Sequence, residues 1–270
     1  MLRLLAAILI LLPVLAHAQP TRLSHCIAIA GLDGGPERMF RANYRQALDK
    51  YEMRVSYVGH STFLIQTEGG VSVATDFTGT LGPAGLVPDV VTMNHAHSSH
   101  WTPFVPPEVK HILPGWGESF GARIEHSLEI GEMLIRNVQT DIRRDFSTEP
   151  NGNSIFIFEV DGLCIGHLGH LHHEPDEAQY AAIGRVDVLM AAVDGGLTLD
   201  TPTMIRIAKR LKSSVVIPMH WFGRGALDGF LRGMSDEFDI VEAGESFVEL
   251  SLTTLPERPT VIVLEPRLLD

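Results

Sequence analysis

The chain has 270 residues, 45% hydrophobic and 20% charged, with 33 acidic against 21 basic side chains and a formal net charge of −12. That balance repels phosphate backbones and argues against a nucleic-acid partner. The length suits one large α/β domain better than two small ones, and no Pro/Gly/Ser-rich linker, low-complexity run or short repeat divides it.

Residues 1–18 read as a secretory signal peptide: Arg3 gives a positive start, an apolar run follows to Leu15, and Ala16-His17-Ala18 is a small-x-small cleavage site. The run is too short for a mature membrane-spanning helix, so the expectation is an exported protein, periplasmic or secreted, with no stable membrane insertion after processing. Residues 19–52 are expected to form an N-terminal arm with an amphipathic helix over 37–50, and 53–270 the main domain. Of the two cysteines, Cys164 lies in the apolar run Leu163-Cys164-Ile165. Two readings stay open: a disulfide with Cys26, as an oxidising compartment permits, or a small core side chain.

Residues 53–57 and 63–67 alternate like paired strands, and Gly69-Gly70 turns the chain into a further strand over 71–75. Strands are also predicted over 112–115, 130–138 and 154–160, the last turning at Asp161-Gly162 into 163–165. Later segments alternate: a helix over 175–183, a buried strand over 186–193, a helix over 202–211 and a buried strand over 215–218. Hairpins early and alternating strands and helices late predict an α/β protein, an αββα sandwich of two mixed sheets packed face to face with helices on the outer faces. The connecting segments 79–88, 114–120 and 221–230 are expected to be loops that wall a pocket, with Trp116 and Trp221-Phe222 as an apolar surface or as aromatic caps on the core edge.

Three segments carry histidines directly after such apolar runs. Asn94-His95-Ala96-His97-Ser98-Ser99-His100 follows Val90-Val91-Thr92-Met93, and His167-Leu168-Gly169-His170-Leu171-His172-His173 follows Leu163-Cys164-Ile165. His220 follows Val215-Val216-Ile217-Pro218-Met219. Imidazoles at i, i+2 and i+5 cannot share a helical face, but on tight loops at one sheet edge they can converge on a cation. A solvated or purely structural role is the competing reading, strongest for the lone His220.

Together these motifs resemble the metallo-β-lactamase fold superfamily, in particular its lactonase-like branch, which includes ascorbate-6-phosphate lactonase and, more distantly, the N-acylphosphatidylethanolamine phospholipase D group. Tyr57-Val58-Gly59-His60-Ser61-Thr62-Phe63-Leu64-Ile65 is similar to the opening strand pair, Ala74-Thr75-Asp76-Phe77 to the Asp-bearing strand end, and His95 to His100 to the HxHxDH motif. The segment 167–173 is similar to HLGDLGH, and Ile217-Pro218-Met219-His220 to the final ligand strand.

The resemblance implies His95 and His97 as ligands of one metal and His100 and His220 of another, with His170 added and Asp141 in place of an absent histidine. His60, Asp76, His167 and His173 are implied as outer partners that orient those ligands. It further implies zinc, one or two ions, with copper, nickel or iron as alternatives for an imidazole-rich site. The motif aspartate is replaced by Ser99 and the bridging aspartate by His170, so the site is poor in carboxylates. The expected activity is hydrolysis of an ester, lactone or phosphodiester bond of a small molecule through a metal-bound water, with His170 or a Ser99 nucleophile as catalytic groups. The alternative is a non-catalytic metal- or ligand-binding descendant of the fold. The sequence sets no oligomeric state.

Overall fold

The computed structural model describes residues 22–28 and 44–270. A short helix α1 (His25–Ala28) precedes the main domain. The first sheet is built from β1 (Met53–Gly59), β2 (Thr62–Thr67), β3 (Ser72–Ala74), β4 (Val90–Met93) and β5 (His111–Pro114). The chain then crosses to the second sheet through β6 (Ser127–Ile130), β7 (Met133–Arg143), β8 (Thr148–Val160) and β9 (Leu163–His167). It continues through α2 (Glu177–Ile183), β10 (Val188–Ala192), α3 (Thr201–Leu211), β11 (Val215–Met219), α4 (Arg224–Met234), β12 (Asp239–Glu242), β13 (Phe247–Leu250) and β14 (Thr260–Val263).

The six-stranded sheet has the order β13-β1-β2-β3-β4-β5 and the eight-stranded sheet β12-β14-β11-β10-β9-β8-β7-β6. Both are mixed. In the first, β13, β1, β2 and β3 pair antiparallel and β3, β4 and β5 parallel. In the second, β6 to β9 pair antiparallel, whereas β9, β10, β11, β14 and β12 pair parallel. Period-two alternation sets which face each strand buries: Met53, Val55 and Tyr57 of β1 join Phe63 and Ile65 of β2 in the core shared with the second sheet. Val58, Leu64, Ala74, Val91 and Met93 point to the other face, into a smaller cluster.

That smaller cluster is closed by Phe77, Leu81, Ala84, Leu86, Val109 and Leu269. The segment expected to wall a pocket over 79–88 therefore covers the outer face of the first sheet. The helices of the described main domain gather on the other side. α3 buries Met204, Ile207 and Ala208, and starts where Asp200 accepts the Thr203 N–H at 2.9 Å, an N-cap reinforced by Pro202 in the first turn. α2 starts with a capping box between Asp176 and Gln179.

Two expectations change. The signal-like residues 1–18 and the first half of the helix expected over 37–50 lie outside the described residues, but Tyr44–Lys50 forms a turn and irregular chain. The carbonyls of Tyr44 and Gln46 accept from the Gln66 and Arg54 side chains, at 3.1 and 3.0 Å, which draws the chain onto the sheet instead of into helical bonds. The segment expected as a loop over 221–230 is mostly α4. Its Leu227, Phe230, Leu231 and Met234 recur at helical spacing and are buried.

Cys26 and Cys164 form a disulfide with a Cα–Cα distance of 5.8 Å, closing a loop of 138 residues. Polar bonds hold the same arm. The Glu159 carboxylate, fully buried, accepts from Ser24 Oγ at 2.6 Å, the His25 N–H at 3.0 Å and Arg136 Nε at 2.7 Å.

Candidate metal centre

Strand direction gathers the histidines. β9, β10 and β11 run parallel and adjacent, so the residues after their C-terminal ends, His167–His173, Asp194 and His220, share one edge. Ligand sites form where such carboxyl ends meet. β3 and β4 run parallel in the first sheet, which places Asp76 and His95–His100 at a common edge. β2 runs antiparallel to β3, so the β1–β2 turn carrying His60 lies there too.

The two edges are tied together. The Asn94 N–H donates to Asp76 Oδ1 at 2.7 Å, its carbonyl accepts from the Ser154 N–H at 3.0 Å, and its side-chain amide donates to the Ser154 carbonyl at 2.7 Å. His95 bridges to Asn153. Across the edge, the His60 carbonyl accepts from the His220 N–H at 2.8 Å and from Tyr57 Oη at 2.6 Å.

His60, Asp76 and His220 all have left-handed backbones, with φ of 53°, 44° and 60°. Side chains other than glycine adopt that region at a cost, about 1–3 kcal/mol each, and the bonds just described hold them there.

Within this frame, seven imidazoles crowd together. The ring of His100 lies 4.5 Å from that of His170, 5.2 Å from His220, 5.3 Å from His60 and 6.2 Å from His97. His60 and His220 are 4.0 Å apart, His95 and His170 5.5 Å, His170 and His172 4.7 Å. The structure thus brings His95, His97, His100, His170 and His220 into one cluster. It adds His60, expected only as an outer partner, and His172, for which the sequence implied no role.

Two carboxylates fix the orientation of the central rings. Asp76 Oδ2 lies 2.7 Å from His100 Nδ1, and Asp194 Oδ2 2.8 Å from His220 Nδ1. Asp194 is held by the N–H groups of Gly196, Leu197 and Thr198 and by Thr198 Oγ1. Burial opposes ionisation of Asp194, but the bonds from His220 and Thr198 outweigh it and hold the carboxyl well below the usual range. For Asp76, burial is again opposed, chiefly by His100, with the same net direction. With Nδ1–H of each histidine donated to its carboxylate, Nε2 is the nitrogen that each ring turns to the site. Those two Nε2 atoms face one another at 3.3 Å.

Other nitrogens are left over. His60 Nε2, His170 Nδ1 and His172 Nε2 are buried and have no hydrogen-bond partner among the described residues. An orphaned buried acceptor costs roughly 1–3 kcal/mol unless something binds it. Burial, then the neighbouring His220 and His100, lower the pKa of His60 to about 4. Burial, then Arg143, bring His172 to about 4. Burial followed by His100, His172, His220 and His95 drives His170 further down. These rings are therefore neutral at physiological pH, the form in which imidazole ligates a metal. Buried imidazole nitrogens without partners, beside two rings backed by carboxylates, fit a divalent cation.

Four residues with expected roles stand apart. His167 Nδ1 accepts from the Gly169 N–H at 3.1 Å and lies 3.2 Å from the Asn94 amide, while Nε2 reaches the Ser61 carbonyl at 2.8 Å. With both nitrogens engaged, its ring braces the two sheets. His173 Nε2 accepts from the Asp141 N–H at 3.0 Å and Nδ1 reaches the Glu174 carbonyl at 2.9 Å. Asp141 Oδ1 accepts from the Asn151 N–H at 2.9 Å, tying the β7–β8 hairpin. Ser99 Oγ lies 2.8 Å from His97 Nδ1, a contact between near neighbours in the chain.

Among the described residues, Phe222 is the phenylalanine or tryptophan that reaches the cluster, its ring 5.5 Å from His60 and 5.4 Å from His220. Trp116 packs edge-on against Trp101, and Trp221 packs against the main core. A cleft of about 300 Å³ lies between 116–122 and Glu149–Pro150–Asn151. It adjoins Gly152, whose carbonyl bonds His95 Nδ1 at 2.6 Å.

Comparison with known proteins points the same way. The family model described as the β-lactamase superfamily domain matches residues 54–220. A UPF0173 protein of Pyrococcus abyssi is 24% identical over 197 residues, covering 67% of this chain and 90% of its own length. A UPF0173 metal-dependent hydrolase of Salinibacter ruber is 26% identical over 220 residues, covering 71% and 94%. A crystal structure from Thermotoga maritima, assigned as a Zn-dependent hydrolase of the metallo-β-lactamase superfamily, is 27% identical with a TM-score of 0.56, covering 79% of this chain and 98% of that one.

Proposed function

The chain belongs to the β-lactamase superfamily domain family, and on that premise we propose that it is an exported metal-dependent hydrolase that cleaves an ester, lactone or phosphodiester bond of a small molecule. The observation that carries the reading is the pair of Nε2 lone pairs, His100 and His220, facing one another at 3.3 Å with a carboxylate behind each. The metal assigned here is zinc, one or two ions, because a cluster of imidazole donors suits it. His100, His220, His95, His97 and His170 are the ligands that the cluster offers.

A divalent cation there supplies a Lewis acid for the scissile group and lowers the pKa of water toward about 7. Asp76 and Asp194 keep His100 and His220 in the ligating tautomer. His170 remains neutral because burial and four neighbouring imidazoles oppose its protonation. Where His170 does not take the ion itself, its unbonded Nδ1 is free to accept a hydrogen bond from the attacking water and orient it, rather than store a proton. Phe222 gives the site an apolar side, and the cleft beside Gly152 has the volume of a small-ligand pocket.

Export is supported by the signal-like pattern of residues 1–18 and by the Cys26–Cys164 disulfide, a bond that persists in oxidising compartments. The substitution of carboxylate positions by Ser99 and His170 favours one second reading, a binding module that holds metal without turnover. A panel of p-nitrophenyl esters, lactones and bis-p-nitrophenyl phosphate, assayed with the zinc-loaded protein, separates the two. The hydrolase reading expects turnover on one class that disappears in His100→Ala and His220→Ala. Zinc uptake without turnover on any class would leave the binding module.

A further inference from the structure

We infer that His60, His100 and His220 form a three-imidazole tripod for one divalent cation, with His60 as a ligand itself. This rests on the proposed metal dependence but assigns a ligand set that the motif resemblance did not contain, since it implied His60 only as an outer partner.

Three observations converge on it. Among the described residues, these three offer ligand nitrogens that all lie within 4.8 Å of one another. The rings of His95, His97 and His170 are more widely set, 5.5, 6.2 and 6.4 Å between centres, against 4.0, 5.2 and 5.3 Å within the tripod. The 3.3 Å between His100 Nε2 and His220 Nε2 also matches the donor spacing that a tetrahedral ion requires. Two nitrogens at 2.0–2.1 Å from a tetrahedral ion stand about 3.3–3.4 Å apart.

Orientation supplies the second point. His100 and His220 spend Nδ1 on Asp76 and Asp194, so their lone pairs face each other with nothing between. In that tautomer the two Nε2 acceptors repel each other, and a cation between them removes the repulsion. His60 brings a third ring nitrogen within 4.8 Å of these two, and its buried Nε2 has no hydrogen-bond partner among the described residues.

Backbone geometry supplies the third. His60 is held in the left-handed region by the His220 N–H and Tyr57 Oη on its carbonyl, and His220 is left-handed as well. The same hydrogen bond that constrains His60 therefore fixes its position relative to His220. Strain of this kind persists where surrounding structure enforces it, typically at functional sites.

The tripod carries no carboxylate ligand. Its charge compensation comes from Asp76 and Asp194 behind the rings, so an ion bound there keeps more of its positive charge than one ligated by carboxylate directly. The class of ligand it takes is a borderline divalent metal, zinc or cobalt, in preference to magnesium or calcium, which require oxygen donors.

The test uses the full-length protein stripped with chelator, labelled with 15N-histidine and given one equivalent of Zn(II). The tripod predicts that the Nε2 resonances of His60, His100 and His220 shift together at this first equivalent, with those of His95 and His97 unmoved. In parallel, His60→Ala should weaken the first zinc site by more than about 100-fold in chelator competition. That exceeds the 10- to 100-fold that loss of an outer hydrogen-bonding partner costs. First-equivalent shifts on His100 and His220 without His60 would overturn the tripod and leave metal dependence standing. No uptake of zinc by the wild-type protein would overturn both.

Discussion

A histidine becomes a ligand here through the carboxylate behind it. His100 and His220 differ in strand, sheet and sequence neighbourhood, yet each has its Nδ1 within 2.8 Å of an aspartate oxygen and its Nε2 directed at the other. Asp76→Asn should weaken zinc binding about 10- to 100-fold, because the amide no longer enforces the Nδ1–H tautomer. Chelator competition on stripped protein measures this, and an unchanged affinity would mean that Asp76 serves the Asn94 N–H alone. His95, His97, His100, His170 and His220 were legible as a group because each follows a buried apolar run. Asp194 was not, since Asp194-Gly195-Gly196 reads as an ordinary turn and only its place beside β9 and β11 reveals its partner. His60 was visible as a strand-end histidine, but its unbonded nitrogen is a fact of three dimensions.

At the scale of elements, the loop after β9 shows how closely the site is packed. Gly169 has φ 62°, and a Cβ there would meet Asn94 Nδ2 at 2.5 Å and Asn153 Oδ1 at 2.7 Å. Both asparagines are fully buried and join the two sheets, so neither can move aside cheaply. Gly169→Ala should cost about 1–3 kcal/mol of unfolding free energy. It should also lower metal affinity by displacing His170, whose N–H donates to Asn153 at 2.9 Å. Urea denaturation together with zinc titration reads both, and wild-type values would show that the loop tolerates a shift. The paired and buried strands were readable from alternation and apolar runs, and α2 and α3 as helices alternating with buried strands. α4 was missed because Gly225, Gly229 and Gly233 lower its helical propensity while its apolar stripe remains intact. β13 was missed for a different reason. It pairs with β1 as Met53↔Leu250, a contact so distant in the chain that no local pattern announces it.

Over the whole molecule, the sandwich brings two sheet edges together, and the described residues 22–28 are clamped to the eight-stranded sheet. The disulfide over 138 residues is worth about 2–5 kcal/mol through loss of unfolded-state freedom. Glu159 adds a pH-dependent part. Burial raises its pKa, but the hydrogen bonds from Ser24 and Arg136, with the Arg136 and His25 charges, more than reverse this and hold it below the ordinary 4.5. A carboxyl depressed on folding stabilises fully above its unfolded value, and that stabilisation is lost as pH falls from there through the folded value. Thermal unfolding should therefore show a steeper loss of stability below about pH 4.5 in the wild type than in Glu159→Gln. Equal slopes would show that Glu159 titrates alike in both states.

Calorimetric titration of the chelator-stripped protein with Zn(II) tests the convergence of the imidazoles on a cation most directly. The predicted result is at least one tight site, abolished when His100 and His220 are both replaced by alanine in protein that still folds. Saturation absent from the wild type, or undiminished in the double variant, would contradict it.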